Sequence, residues 1–137
     1  MARVLGIDPG TKRCGIAVTN TGETMAFPRP AIRRDDHTVR RLSELIDSEE
    51  IGRVVIGRPI ALSGNETTST KDADELFEQL SDHVAVTVIQ WDERLTTRDA
   101  QKSLSGAGLT AKESRERVDS AAAVIMLQNY LDGLIAE

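Results

Sequence analysis

The sequence predicts an α/β fold, a mixed five-stranded sheet with helices on both faces. Three observations carry that expectation. Residues 3–33 hold three extended runs separated by turn residues, with no helical periodicity among them. From residue 35 onward, short apolar runs alternate with stretches whose apolar residues recur at helical spacing. The resulting order, β-β-β-α-β-α-β-α-α, begins with antiparallel hairpins and continues with α-β repeats, so one sheet must combine both kinds of pairing.

Each element has its own signal. Residues 3–8 and 13–19 are apolar runs joined by a Pro9-Gly10 turn. A third extended segment, 23–33, follows the turn at Asn20-Thr21-Gly22, and its Pro28 and Pro30 suit an edge strand or a bulged end. Asp35-Asp36 is a helix-start signal, after which Val39, Leu42 and Ile46 keep helical spacing to Glu50. Residues 53–57 read as a buried strand and 58–70 as a polar loop with "SGNETTST" at its tip. Ala73, Leu76, Phe77 and Leu80 mark the next amphipathic helix, and residues 85–91 the last strand. Thr96 can cap a short helix that closes near Gly106 and Gly108. Thr110 and Glu113 form a capping box for a final helix over 111–134, whose segment 121–127 is apolar all round and therefore buried on more than one side.

Length and composition narrow the function classes. A chain of 137 residues suits a single domain, spanning 1–137, with a sizeable core. Aromatic residues are only 3%, which argues against aromatic platforms as the main way of holding single strands. No apolar run approaches the roughly 18 residues of a membrane span. Met1-Ala2-Arg3 leads into a strand rather than a signal peptide, so a cytoplasmic protein with no membrane partner is expected. The single cysteine, Cys14, excludes an internal disulfide and, inside a β run, reads as a small buried hydrophobe. The net charge of −5 does not advertise a nucleic-acid binder, yet Lys12-Arg13, Arg29, Arg33-Arg34, Arg40-Arg41, Arg94, Arg115 and Arg117 cluster locally.

Carboxylates at strand ends raise the question of chemistry. Asp8 ends the first strand and opens Asp8-Pro9-Gly10-Thr11. It reads first as a turn residue, and otherwise as part of a phosphate loop like that of actin-like ATPases or as a metal ligand. A chain of this length cannot supply the two domains that close around a nucleotide, and it has no phosphate-binding G-x-x-x-x-G-K-[ST] loop. Asp92 and Glu93 end the last strand. Asp119 lies beyond the first turn of the final helix, just before its all-apolar segment, where a bare carboxylate is costly to bury. Three such acids make a plausible cage for Mg²⁺ or Mn²⁺ ions, which take oxygen ligands and serve phosphodiester hydrolysis.

"GIDPGTKRCGIAV", "VVIGRP", "WDERLTT" and "VDSAAAVIMLQNYLD", in this order, resemble the YqgF/RuvX family of Holliday junction resolvases, also described as pre-16S rRNA nucleases. The resemblance covers essentially the whole chain. It implies a ribonuclease H-like fold, with a Mg²⁺ or Mn²⁺ centre on Asp8, Glu93 and Asp119. It also implies a metal-dependent nuclease acting on structured RNA, the 5′ end of pre-16S rRNA first and four-way DNA junctions second, as a monomer or homodimer. The chain departs from the family after the Gly-x-Pro motif, which members often continue with an acidic residue and a glycine-containing loop. Here it reads Arg58-Pro59-Ile60-Ala61-Leu62-Ser63-Gly64-Asn65, which bears on substrate contacts by the loop and not on the acidic site. A non-catalytic nucleic-acid-binding module and an ATPase relative are the competing classes.

Other residues carry less. Alternation along a strand lets only one of Asp92 and Glu93 face Asp8 directly, and the resemblance assigns that place to Glu93. Lys12, Arg13 and Arg94 neighbour the acids and could contact substrate phosphates. Trp91 is expected to pack at the strand end, and His37 and His83 to lie at helix ends without a catalytic part.

Overall fold

A computed structural model describes residues 3–22, 24–60, 63–93 and 111–136, with the side chains of the last helix described over 120–133. The elements are β1 (Arg3–Pro9), β2 (Arg13–Thr19), β3 (Ala26–Arg33), α1 (Thr38–Ser48), β4 (Ile51–Arg58), α2 (Thr68–His83), β5 (Thr87–Asp92) and α3 (Ala111–Ala136). The strands form one five-stranded sheet in the order β3-β2-β1-β4-β5. β2 pairs antiparallel with β1 and with β3, whereas β4 pairs parallel with β1 and with β5. The mixed sheet expected from the element order is therefore present, with the proline-bearing β3 at an edge where its missing N–H groups do least harm.

Alternation along the strands sorts the core into two layers. Leu5, Ile7, Ile16, Val18, Val54 and Ile56 face α1 and α2, meeting Leu42, Ile46, Leu76 and Leu80. Their neighbours Val4, Ala17 and Val55 face α3, meeting Ala123, Met126, Leu127 and Leu131. Gly6 lets α3 come close, since a Cβ there would sit 3.0 Å from that of Leu127. Helices thus cover both faces; of the apolar run 121–127, residues 123–127 are buried, whereas Ala121 and Ala122 are half-buried. No helix among the described residues is long and apolar enough to cross a membrane.

Strand β4 runs wider than the expected 53–57, β5 is shifted from 85–91 to Thr87–Asp92, and three further element starts differ for a side-chain reason. The third strand starts at Ala26 rather than 23, because the Asn20 side chain accepts from the amides of Thr24 (2.9 Å) and Met25 (3.1 Å) and prolongs the turn. Asp35-Asp36 does not cap α1. Asp35 Oδ1 instead takes the His37 amide (2.8 Å), Thr38 Oγ1 takes the Asp35 amide (2.8 Å), and the helix starts at Thr38. The polar loop ends earlier than residue 70, because Thr67 and Thr70 form a reciprocal capping box that starts α2 at Thr68. The expected short helix after Thr96 and the Thr110 cap lie outside the described residues.

Candidate active site

Asp8 lies at the carboxyl end of β1, and alternation from Val4 and Gly6 puts its side chain on the α3 side of the sheet. Directly across β2 stands Gly15, which has no side chain. The turn that follows needs glycine at position 10, because a Cβ there would overlap the Arg13 carbonyl oxygen.

Glu93 follows the last residue of β5. Ile89 and Trp91 pack into the α3 layer, so Glu93 continues on that side. Gln90 turns the other way and bonds Asp74 of α2 at 2.7 Å; by the same alternation Asp92 belongs to the α2 side, opposite Arg58 in the ladder. Between β5 and β1 lies β4, which Glu93 must cross to meet Asp8. It crosses over Gly57: a Cβ at that position would overlap Glu93 Oε1 and sit 2.9 Å from Met126 Sδ. The sequence contains this glycine but not its purpose, which depends on strand order.

The Glu93 carboxyl lies over Gly57 and comes close enough to Asp8 for the two acids to interact. Burial first, then that contact, then the charges of Asp8 and Asp92 push Glu93 well above the usual carboxylate range. With no cation near, the two carboxyls together favour keeping a proton. The pair fits a hard divalent cation: its donors are oxygens, and positive charge between them would take the place of the proton. No group of three or more His, Cys, Asp or Glu suited to a metal is found among the described residues. Asp119 belongs to α3, but its side chain lies outside those described.

Matched against known families, residues 2–133 fit the RuvX profile, described as Holliday junction resolvase. The chain belongs to the RuvX family. RuvX relatives named pre-16S rRNA nuclease include one from Mycolicibacterium paratuberculosis, 43% identical over 133 residues, covering 95% of this chain and 80% of the relative. Another, from Ruminiclostridium cellulolyticum, is 36% identical over 133 residues, covering 95% of this chain and 94% of the relative. Among solved structures, Thermus thermophilus RuvC in complex with a Holliday junction substrate has a TM-score of 0.64 at 16% identity, covering 99% of this chain and 97% of that one. That likeness shows the shared ribonuclease H-like fold.

Two braces from α2 support the RuvX site, and neither was read from the sequence. Arg34 grips Asp72 with both terminal nitrogens (2.9 and 2.8 Å) and donates to the Gly10 carbonyl (3.1 Å), while its amide bonds Lys12 O (2.9 Å), so the turn after Asp8 is tied to α2. Arg58, next to Gly57, holds Asp74 (2.8 and 3.1 Å) and Glu66 (2.6 Å), and Thr70 Oγ1 donates to Pro59 O. Arg58 thus ties the end of β4 to α2 and to Glu66 just before it.

Of the residues expected to touch substrate, Lys12 and Arg13 are exposed on the β1–β2 hairpin, at the Asp8 end of the sheet. Arg33, also exposed, stands directly opposite Arg13. Like charges in that register are unfavourable by themselves. Arg94 lies outside the described residues. Cys14 is fully buried, and burial pushes its thiol up to about 11, which leaves it neutral and without a nucleophile's character. Trp91 packs edge-to-face on Tyr130, centroids 5.8 Å apart, as strand-end packing predicted. His37 and His83 sit at the start of α1 and the end of α2. A cleft of about 430 Å³ between α1 and α2 is lined by Arg34, Asp35, Val39, Leu76 and Gln79, on the opposite face from Asp8 and Glu93.

Proposed function

We propose that this protein is a metal-dependent nuclease that hydrolyses phosphodiester bonds in structured nucleic acid, trimming the 5′ end of pre-16S rRNA in the cytoplasm. The observation that carries the reading is the Glu93 carboxyl laid across Gly57 onto Asp8, a strained arrangement of acids that cationic charge would relieve. Membership in the RuvX family and the names of its relatives support it.

Asp8, Glu93 and Asp119 would hold the metal, and Mg²⁺ or Mn²⁺, when bound, supplies charge to the attacking and departing oxygens. The chain's own part is positional. Asp8 and Glu93 come from strand ends braced by α2, so they change little in geometry as substrate arrives. Glu93, whose carboxyl is disposed to keep a proton beside Asp8, would hold the ion as a carboxylate. Lys12, Arg13, Arg33 and Arg94 would meet phosphates flanking the cut.

The second reading, resolution of four-way DNA junctions, draws on the description of the family itself. One experiment separates the possibilities. End-labelled precursor rRNA and a four-way DNA junction are each incubated with the wild type and Asp8→Asn, in Mg²⁺ or EDTA. Cleavage of the RNA by the wild type in Mg²⁺ alone, lost in Asp8→Asn, is the expected result. Cleavage of the junction alone selects the second reading. Binding without cleavage of either makes the protein a recognition module, and activity retained by Asp8→Asn removes that residue from the reaction.

A further inference from the structure

Ser120 is the polar exception in a buried stretch of α3. A hydroxyl inside a helix gains nothing from propensity, and one buried completely is costly unless it is bonded. Ser120 Oγ is bonded twice, and neither partner belongs to its own helix. It donates to the Arg29 carbonyl of β3 at 2.6 Å and accepts from the Ile16 amide of β2 at 3.1 Å.

These two main-chain groups face each other where the β2–β3 register slips. Ile16 pairs with Arg29 but Cys14 pairs with Ile32, so β3 carries one extra residue across this step. The extra stretch includes Pro30, which brings no N–H to the ladder. A hydroxyl from the covering helix meets the two strands at that slip. Because serine is short, two bonds in different directions fix both the height and the rotation of α3 at this point. Asp119 is the preceding residue of the same helix, a rise of about 1.5 Å away. Farther along α3, Gln128 accepts from the Ala26 amide at the other end of β3, at 3.0 Å, so the residues before Ser120 run toward the end of the sheet that carries Asp8.

We infer that Ser120 is a positioning residue for the nuclease centre: its hydroxyl pins α3 to the β2–β3 bulge and thereby sets Asp119 against Asp8 and Glu93. The inference rests on the nuclease reading above. Removing the hydroxyl leaves Ala123 packed against the sheet and Gln128 tied to Ala26, but it removes the two bonds that hold α3 at the β2–β3 bulge.

The test is a Mn²⁺ titration by calorimetry with parallel kinetics. Ser120→Ala is expected to weaken Mn²⁺ binding about tenfold or more and to lower kcat with little change in KM. The Asp119→Asn, Ser120→Ala double variant is expected to bind no more weakly than Asp119→Asn alone, because the two act through one ligand. Equal Mn²⁺ affinity in the wild type and Ser120→Ala, or additive losses in the double variant, overturns the inference. Should Ser120→Ala not fold, amide exchange decides: exchange of the Ile16 amide is expected to slow on adding Mg²⁺ to the wild type but not to Asp119→Asn, and an Ile16 amide indifferent to Mg²⁺ in the wild type overturns it. A wild type that binds neither ion and cuts no substrate removes the nuclease reading itself, a result distinct from these.

Discussion

Glu93 can reach Asp8 because residue 57 has no side chain. Gly57→Ala should leave a folded protein, at an overpacking cost of about 1–3 kcal/mol. It should also lower the cleavage rate about a hundredfold, by displacing the Glu93 carboxyl. Thermal denaturation read beside kinetics checks both halves, and full activity in Gly57→Ala would show that the crossing is unimportant. The raised Glu93 carboxyl also has a pH signature. Its folded value is raised above the ordinary 4.5, so its contribution to stability is fully present below about that pH and is lost as pH climbs toward the raised value. Melting temperatures in EDTA should therefore fall from mildly acid to alkaline pH, and Mg²⁺ should flatten the decline. Asp8 and Glu93 were legible in the sequence as strand-ending acids, and strand alternation separates Glu93 from Asp92. What joins Glu93 to Asp8 was not legible, because a glycine on β4 matters only once β4 is known to lie between β1 and β5.

At the scale of elements, α2 is the frame of the site. Asp72 holds Arg34 and through it the Gly10 turn, while Asp74 holds both Arg58 and Gln90, at the ends of β4 and β5. Asp72→Asn keeps the shape but weakens the grip on Arg34. Charge-assisted bonds of this kind are worth about 1.5–3 kcal/mol, and the pair is partly solvated, so the lower end is expected. A drop in melting temperature of a few degrees, with a rise in the exchange rate of amides in the Asp8 turn, would confirm the brace; an unchanged turn would refute it. The strands and helices were readable from periodicity, whereas the starts of β3, α1 and α2 were not. Asn20, Asp35, Thr38, Thr67 and Thr70 each choose among several nearby backbone groups, and sequence pattern alone does not rank those choices.

Across the whole molecule, the parallel strands β1, β4 and β5 bring their carboxyl ends to one edge, where a ligand is expected in an open α/β sheet. A mixed sheet followed from the element order and the edge position of β3 from Pro28 and Pro30, whereas the strand order and the β2–β3 slip that receives Ser120 did not. The net charge of −5 limits how far electrostatics can draw in nucleic acid, so binding should fall with salt on a shallow slope. Replacing Lys12 and Arg33 by Gln should flatten that slope further, measured by anisotropy with labelled RNA in EDTA, without changing the fold. The central claim, that Asp8 and Glu93 together hold a metal ion, is tested most directly by titrating Mn²⁺ into the wild type, Glu93→Gln and Asp92→Asn. Loss of binding in Glu93→Gln with binding kept in Asp92→Asn is the expected result. Binding kept in Glu93→Gln and lost in Asp92→Asn would contradict it.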